Sequence, residues 1–118
     1  MNRVIVYRGA VPTSAQEVHT CNTPVQRVLS FYVTTTSTSN RTFTLSIDRN
    51  GTETEVLNEV LVYGSAAMKD TFEWIPGLFL LTRQEPATNA LGTVGDIVKL
   101  VGSATGLEFH LAVEVLDQ

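Results

Sequence analysis

The feature that most constrains this chain is an alternation of apolar and polar side chains with a period of two. Successive side chains of a β-strand point to opposite faces, so such a stretch gathers its apolar residues on one face. The clearest apolar sets are Leu29, Phe31 and Val33; Phe43, Leu45 and Ile47; and Leu107, Phe109, Leu111, Val113 and Val115. The pattern predicts two-faced strands that cover a common core.

Further strands and the turns between them follow from shorter signals. Weaker strands are predicted for Phe72 with Trp74, Ile97 with Val101, Val56 to Tyr63, and Leu78 to Leu81. Turns are predicted at 37–40, Asn50-Gly51 and Pro76-Gly77. No segment keeps a helical period over three turns, and the best helical candidate, Ser14 to Val18, is better interpreted as a loop with one turn. About eight closely spaced strands predict an all-β fold, a single antiparallel β-sandwich of the jelly-roll type.

Length and charge restrict the classes of protein that fit. With 118 residues the chain is expected to be one domain, 1–118, in which 1–25 is a less regular N-terminal arm. The net charge of −4 and the scattered basic residues argue against binding to nucleic acid or to a membrane surface. No apolar stretch is long enough for a transmembrane helix, and the N-terminus lacks a signal-peptide core. We therefore expect a protein made in a cytoplasm and kept there or released by lysis.

Residues able to carry chemistry are few. His19 and Cys21 would share a face of a strand, but a zinc site needs three or four ligands and only His110 adds to them. A catalytic Cys21 would need an orienting group and an oxyanion hole, and no motif supplies them. Most acidic residues are expected on solvated surfaces. The sequence therefore predicts no catalytic residue, no metal, no cofactor and no enzymatic activity.

The aromatic residues fall into two groups. Phe31, Phe43 and Phe109 lie on apolar phases and are expected in the core. Tyr32, Tyr63 and Trp74 could instead be stacking platforms for a glycan, or they could contribute to the core or to contacts between subunits.

Taken together, several stretches resemble the small β-sandwich virion proteins of tailed bacteriophages, over nearly the whole length. They are Val6 to Pro12, Val18 to Pro24, the Thr- and Ser-rich strand end Thr34 to Ser39, Thr42 to Leu45, Thr71 to Trp74, and Gly106 to His110. The likeness is one of size, strand texture and composition. It implies a structural protein of the virion, assembled in the host cytoplasm.

The resemblance also implies which partners to expect. They are the major capsid protein, for a decoration protein that cements the shell, or tail proteins, for a minor tail component. A carbohydrate-binding module on the virion surface is the alternative of a different class. A homo-oligomer, with a trimer favoured, would match the threefold positions of a shell. We expect the N-terminal arm to reach the neighbouring subunit through Tyr7, Arg8 and Pro12.

Overall fold

The computed structural model describes residues 3–49, 51–67, 69–74, 76–77, 79–83 and 95–116. Within these ranges the chain forms nine strands: β1 (Arg3–Ala10), β2 (Gln16–Thr20), β3 (Val25–Thr35), β4 (Arg41–Arg49), β5 (Thr52–Val62), β6 (Thr71–Trp74), β7 (Leu80–Thr82), β8 (Ile97–Gly102) and β9 (Leu107–Val115). This part of the chain holds no helix with the length and apolarity that a membrane crossing requires.

The strands form two antiparallel sheets. One has the order β1-β9-β3-β6. The short strand β7 belongs to this sheet as well, and it pairs with the first residues of β3 whereas β6 pairs with the last ones. We call this sheet the first sheet. The second sheet has the order β2-β8-β4-β5.

The pairings are nested along the chain, which identifies the topology. The innermost pair is β4 with β5, followed outwards by β3 with β6 and β7, β2 with β8, and β1 with β9. Successive pairs lie alternately in the second and the first sheet, so the chain is one long antiparallel ribbon wound into a sandwich. This is the jelly-roll arrangement, and the predicted fold class is confirmed.

The described turn residues lie at positions that the sequence predicted as turns. Arg49 pairs with Thr52 across a two-residue hairpin loop whose Gly51 has a φ of 82°. That conformation is costly for a residue with a Cβ. Asn50 and the predicted strand start Leu78 lie outside the described residues. Pro76 and Gly77 separate β6 from β7, as expected.

Residues 1–25 contribute strands to both sheets, where a less regular arm was expected. β1 pairs with β9 along all eight of its residues, and β2 pairs with β8. The interpretation of Ser14 to Val18 as a loop with one turn is therefore wrong for Gln16–Val18. The reason is that β2 obtains its backbone hydrogen bonds from a strand 80 residues away in sequence, and no local pattern reveals such a pairing.

Side chains from both sheets meet in one apolar core. Its members are Val11, Cys21, Val28, Phe31, Val33, Phe43, Leu45, Ile47, Val62, Leu81, Val98, Leu100, Leu107, Leu111 and Val113. Phe43 links the sheets, because its ring contacts both Phe31 and Phe72, with centroids 5.8 and 5.6 Å apart. Such tilted and edge-on contacts suit the charge distribution of aromatic rings.

β-Bulges change which residues face this core. A bulge between Val28 and Ser30 of β3 turns Val28 inwards and leaves Leu29 half-buried, although the alternation predicted Leu29 inside. A bulge adds one residue to one strand and so reverses the facing of the residues beyond it.

The facing of β8 also differs from the prediction. In β8 the buried apolar residues are Val98 and Leu100, so the predicted set of Ile97 and Val101 lies on the outer phase.

Gly95 lies against the backbone of Cys21, where a Cβ would stand 1.7 Å from the carbonyl oxygen. We expect Gly95→Ala to lower the free energy of unfolding by at least about 2 kcal/mol, because backbone must move to admit the methyl group. Gly9→Ala is the matched control, since the nearest atom to its Cβ would be 3.8 Å away. Urea denaturation followed by tryptophan fluorescence measures both, and equal stabilities would contradict the close approach.

Candidate interaction surfaces

The three predicted contact residues of the N-terminal segment have different environments. Tyr7 is half-buried, and its hydroxyl is 2.8 Å from Nδ1 of His19. The carbonyl of Pro12 accepts a hydrogen bond from the amide of Gly102 at 2.7 Å. Arg8 is exposed on the outer face of the first sheet. Tyr7 and Pro12 are thus half-buried and bonded within the domain, whereas Arg8 is exposed.

Arg8 belongs to a row of polar and aromatic side chains across the first sheet. In the strand register Arg8 lies opposite His110, His110 opposite Tyr32, and Tyr32 opposite Glu73. The rings of Tyr32 and His110 are stacked, with centroids 4.6 Å apart and planes inclined by 8°. Together with Arg8 and Glu108 they line a groove of about 380 Å³. We call this surface the outer face.

An apolar strip borders the row. Val4 and Val6 are on the same side of β1 as Arg8, and they are 50% and 47% exposed. Alternating residues of a strand share a face, so the two valines extend the outer face to the edge of the sheet. Neighbouring exposed apolar side chains of this kind mark contact surfaces more often than isolated ones do.

The structure separates the three candidate glycan-stacking residues. Tyr32 lies on the outer face. Trp74 pairs in register with Phe31 and packs edge-on against Phe79, with ring centroids 5.4 Å apart. Tyr63 follows the end of β5 and is 57% exposed. The three rings do not form one platform, and Tyr32 alone adjoins the groove.

A buried polar network joins the sheets beneath β1. Nε2 of His19 lies 2.5 Å from Oε1 of Gln26, whose amide nitrogen donates to the hydroxyl of Thr23 at 3.1 Å. Because Oε1 can only accept, Nε2 carries the imidazole proton, and Nδ1 accepts from the Tyr7 hydroxyl. The network thus connects β1, β2 and β3 in a fully used set of donors and acceptors.

Burial favours the neutral form of His19. Burial lowers the pKa of His19 from its ordinary value of 6.5, and the hydrogen bond to Gln26 opposes this shift. Removal from water disfavours the charged imidazolium. A bulge between Glu17 and His19 turns this side chain inwards, which the alternation of β2 does not indicate.

At the opposite margin a buried carboxylate ties three strands together. Asp96 is 2% exposed and accepts hydrogen bonds from Nε and Nη2 of Arg49 at 2.9 and 2.6 Å. It also accepts one from the amide of Thr82 at 2.9 Å. The carboxylate raises the pKa of the Arg49 guanidinium. Asp96 is an exception to the expectation that acidic residues are solvated, because its partners come from distant strands.

The only cysteine of the sequence lies in the core. Cys21 is fully buried, and its thiol donates to the carbonyl of Thr23 at 3.3 Å. Burial raises the pKa of this thiol, which favours the neutral and weakly nucleophilic form. Among the described residues no three His, Cys, Asp or Glu side chains form a cluster suited to a metal ion.

These observations define a jelly-roll β-sandwich whose outer face carries the Tyr32–His110 stack and charged side chains of both signs. In the described part of the chain, each margin of the sandwich has one edge strand from each sheet. No family model matches the sequence, and no curated protein matches it. The fold is similar to that of solved structures. One is from "Bacillus endospore appendages form a novel family of disulfide-linked pili", with 14% identity and a TM-score of 0.53, covering 100% of this chain and 88% of that chain.

Two further similar structures come from viruses. A chain of infectious bursal disease virus, Gx strain, has 11% identity and a TM-score of 0.48 and covers 97% of this chain and 32% of that chain. A chain from the virus-like particle of the giant freshwater prawn (Macrobrachium rosenbergii) extra small virus has 10% identity and a TM-score of 0.34, covering 99% and 81%. At such identities the likeness concerns the fold alone.

The buried His19 predicts a pH-dependent stability. Because its pKa is depressed in the folded state, the unfolded chain binds more protons below pH 6.5. Stability is therefore complete above that pH and decreases as the pH falls towards the folded-state pKa, by at most about 1.4 kcal/mol per pH unit for one proton. Denaturation at a series of pH values should show this slope in the wild type and lose it in His19→Gln. The control His110→Gln should retain it, and equal slopes in wild type and His19→Gln would contradict the assignment.

The ion pair between buried Asp96 and half-exposed Arg49 predicts a second effect on stability. Arg49→Met leaves the buried carboxylate of Asp96 without its cation, and we expect a loss of about 2 kcal/mol in the free energy of unfolding. Lys99→Met is the control. Lys99 bridges Asp48 and Glu53 at 3.5 Å, and both carboxylates are more exposed than that of Asp96, so the pair contributes under about 1 kcal/mol. Chemical denaturation compares the two, and a loss as small for Arg49→Met as for the control would refute the role of the Arg49–Asp96 pair.

Proposed function

We propose that the protein is a non-enzymatic structural component of a bacteriophage virion, a decoration protein that binds the assembled capsid shell. The observation that carries this proposal is the outer face, where exposed Val4 and Val6 adjoin Arg8 and the Tyr32–His110 stack on a regular sheet. Aromatic rings and arginine are enriched at protein interfaces, and apolar side chains beside them supply the area to be buried. A minor tail protein would use the same surface on a different partner.

The interior supports a structural role. The buried polar side chains His19, Gln26 and Asp96 are occupied by hydrogen bonds that join strands. Catalysis needs a nucleophile, a base or a charge stabiliser that can reach a substrate. In the described part of the chain these three side chains are bonded within the domain and serve the fold. Arg8, Glu108 and His110 line the groove on the outer face, and we assign them to recognition.

The pilus structure supports the coarser part of the proposal, because its subunit shares this fold and is described as part of a disulfide-linked assembly. The same covalent linkage does not suit this chain. Its single cysteine is fully buried and lies within the core. We therefore propose an assembly held by non-covalent contacts between exposed surfaces. The restriction to a phage virion comes from the likeness of the sequence to phage β-sandwich proteins.

The groove on the outer face favours one second candidate, a carbohydrate-binding module on the virion surface. It brings the Tyr32–His110 stack together with the charged side chains of Arg8 and Glu108. Sugars are bound by aromatic faces and by polar groups that bond to their hydroxyls. Tyr32→Ala should abolish binding on a glycan array if this candidate is correct, and the array should show no binding by either protein if it is not.

The experiment for shell binding uses particles of the phage that encodes the chain, prepared without its gene product. Purified protein is added to these shells and to unassembled capsid subunits, and occupancy is measured by sedimentation. We expect saturable binding to shells alone. Val6→Glu should reduce it at least tenfold, because a charge enters the apolar strip.

Leu61→Glu is the matched control. Leu61 is 41% exposed on β5 of the second sheet, close to the exposure of Val6. Its substitution should leave shell occupancy unchanged. Absence of the chain from the density of wild-type particles, or equal binding by both variants, would overturn the proposal.

A further inference from the structure

Among the residues that the structure describes, two long strands have one unpaired edge each, and these edges lie at opposite margins of the sandwich. Within these residues β1 pairs only with β9, and β5 pairs only with β4. β1 lies over β2, since the Tyr7 hydroxyl reaches His19. β5 lies beneath the segment before β7, since Val56 and Phe79 line one pocket. A surface that joins β1 to β5 therefore connects one side of a molecule to the opposite side of the next.

The other two edges are poorly suited to strand addition. β2 has five residues, and the remaining edge of the first sheet is divided between β6 and β7, with four and three residues. Such short edge strands offer few backbone groups to another chain. β1 has eight residues in a regular register, and β5 has eleven, with two bulges between Glu55 and Val60.

These two edges carry opposite charge. β1 contains Arg3 and Arg8 and no acidic residue, whereas β5 contains Glu53, Glu55 and Glu59 and no basic residue. Glu53 contacts Lys99. Arg3, Arg8, Glu55 and Glu59 form no salt bridge with any residue that the structure describes. The unneutralised charges are thus a pair of cations on one margin and a pair of anions on the other.

We propose that the protein self-associates head to tail, with β1 of one copy adding to β5 of the next. Strand addition satisfies the exposed backbone groups of both edges, and the arginines of one edge approach the glutamates of the other. Pairing of two β1 edges would bring cations together, and pairing of two β5 edges would bring anions together, so charge selects the mixed contact.

The interface is heterologous, because it joins two different surfaces. Such an interface produces a closed ring when the rotation between copies closes, and an open chain otherwise. The trimer expected from the sequence would be the ring with three members. This inference rests on the proposed function and extends it by naming the contact that repeats between copies of the protein.

The test compares two charge-reversed variants with the wild type by sedimentation velocity, from about 1 µM to about 1 mM protein. Arg3→Glu with Arg8→Glu makes both edges acidic, and Glu55→Arg with Glu59→Arg makes both edges basic. We expect the wild type to associate at low salt and each variant to associate at least tenfold more weakly. An equimolar mixture of the two variants should associate again, because every basic edge then finds an acidic one.

The control is Glu108→Arg, which reverses one acidic charge on the face of the central strand β9 and should associate like the wild type. Thermal unfolding verifies that all variants are folded. Association of both variants alone, or failure of their mixture, would overturn the β1–β5 contact. A monomeric wild type at every concentration would also overturn it. If that monomer is nevertheless found on phage particles, the inference fails while the proposed function stands.

Discussion

The alternation of side chains along each strand is the constraint on which the rest of the structure depends. One face of the long central strands β3, β4 and β9 is largely apolar, so each sheet must cover its inner face with the other sheet, and two sheets suffice for this chain. In a sandwich, unlike in a closed barrel, each sheet has two edge strands. Packing two sheets into a core therefore leaves edge strands at both margins, and β1 and β5 are the longest of those described.

Three buried polar side chains, His19, Gln26 and Asp96, have hydrogen-bond partners on other strands or loops. His19 and Gln26 fasten β1, β2 and β3 near one margin, and Asp96 with Arg49 fastens β4, β7 and the start of β8 near the other. An unpartnered buried polar group would cost more than such a network contributes. These contacts also fix the relative position of the two sheets at both margins, and hence the geometry with which the free edges are presented.

Local patterns predicted the fold wherever a strand is regular. In β4 the residues Phe43, Leu45 and Ile47 face the core as their alternation indicates, and Gly51 forms the expected hairpin loop. The patterns failed at Leu29 and Ile97. The facing of Leu29 depends on a bulge, and that of the β8 residues depends on which strands they pair with. Both are properties of contacts between residues far apart in the sequence.

The same limit applies to the surfaces. Arg8 could be chosen from the sequence as a contact residue, because the N-terminal stretch is rich in small and polar residues and was expected to be an arm that reaches a neighbour. Its neighbours Tyr32 and His110 could not be chosen with it, since they become neighbours through the register of β1, β9 and β3. The acidic character of β5 is visible in the sequence, but its meaning depends on knowing that β5 ends a sheet.

Unpaired edge strands allow aggregation as well as specific association. Two identical edges can always approach each other, and an unrestricted edge leads to aggregation. Charges of one sign along an edge repel a second copy of that edge, while charges of opposite sign on the two edges admit a single orientation. In this chain Arg3 and Arg8 lie on one edge and Glu55 and Glu59 on the other, so the residues that prevent unwanted pairing are the ones that direct the wanted contact. Screening reduces such attraction beyond about 8 Å at physiological ionic strength, so the charges act only once the edges are nearly aligned and thereby favour correct register over loose encounter.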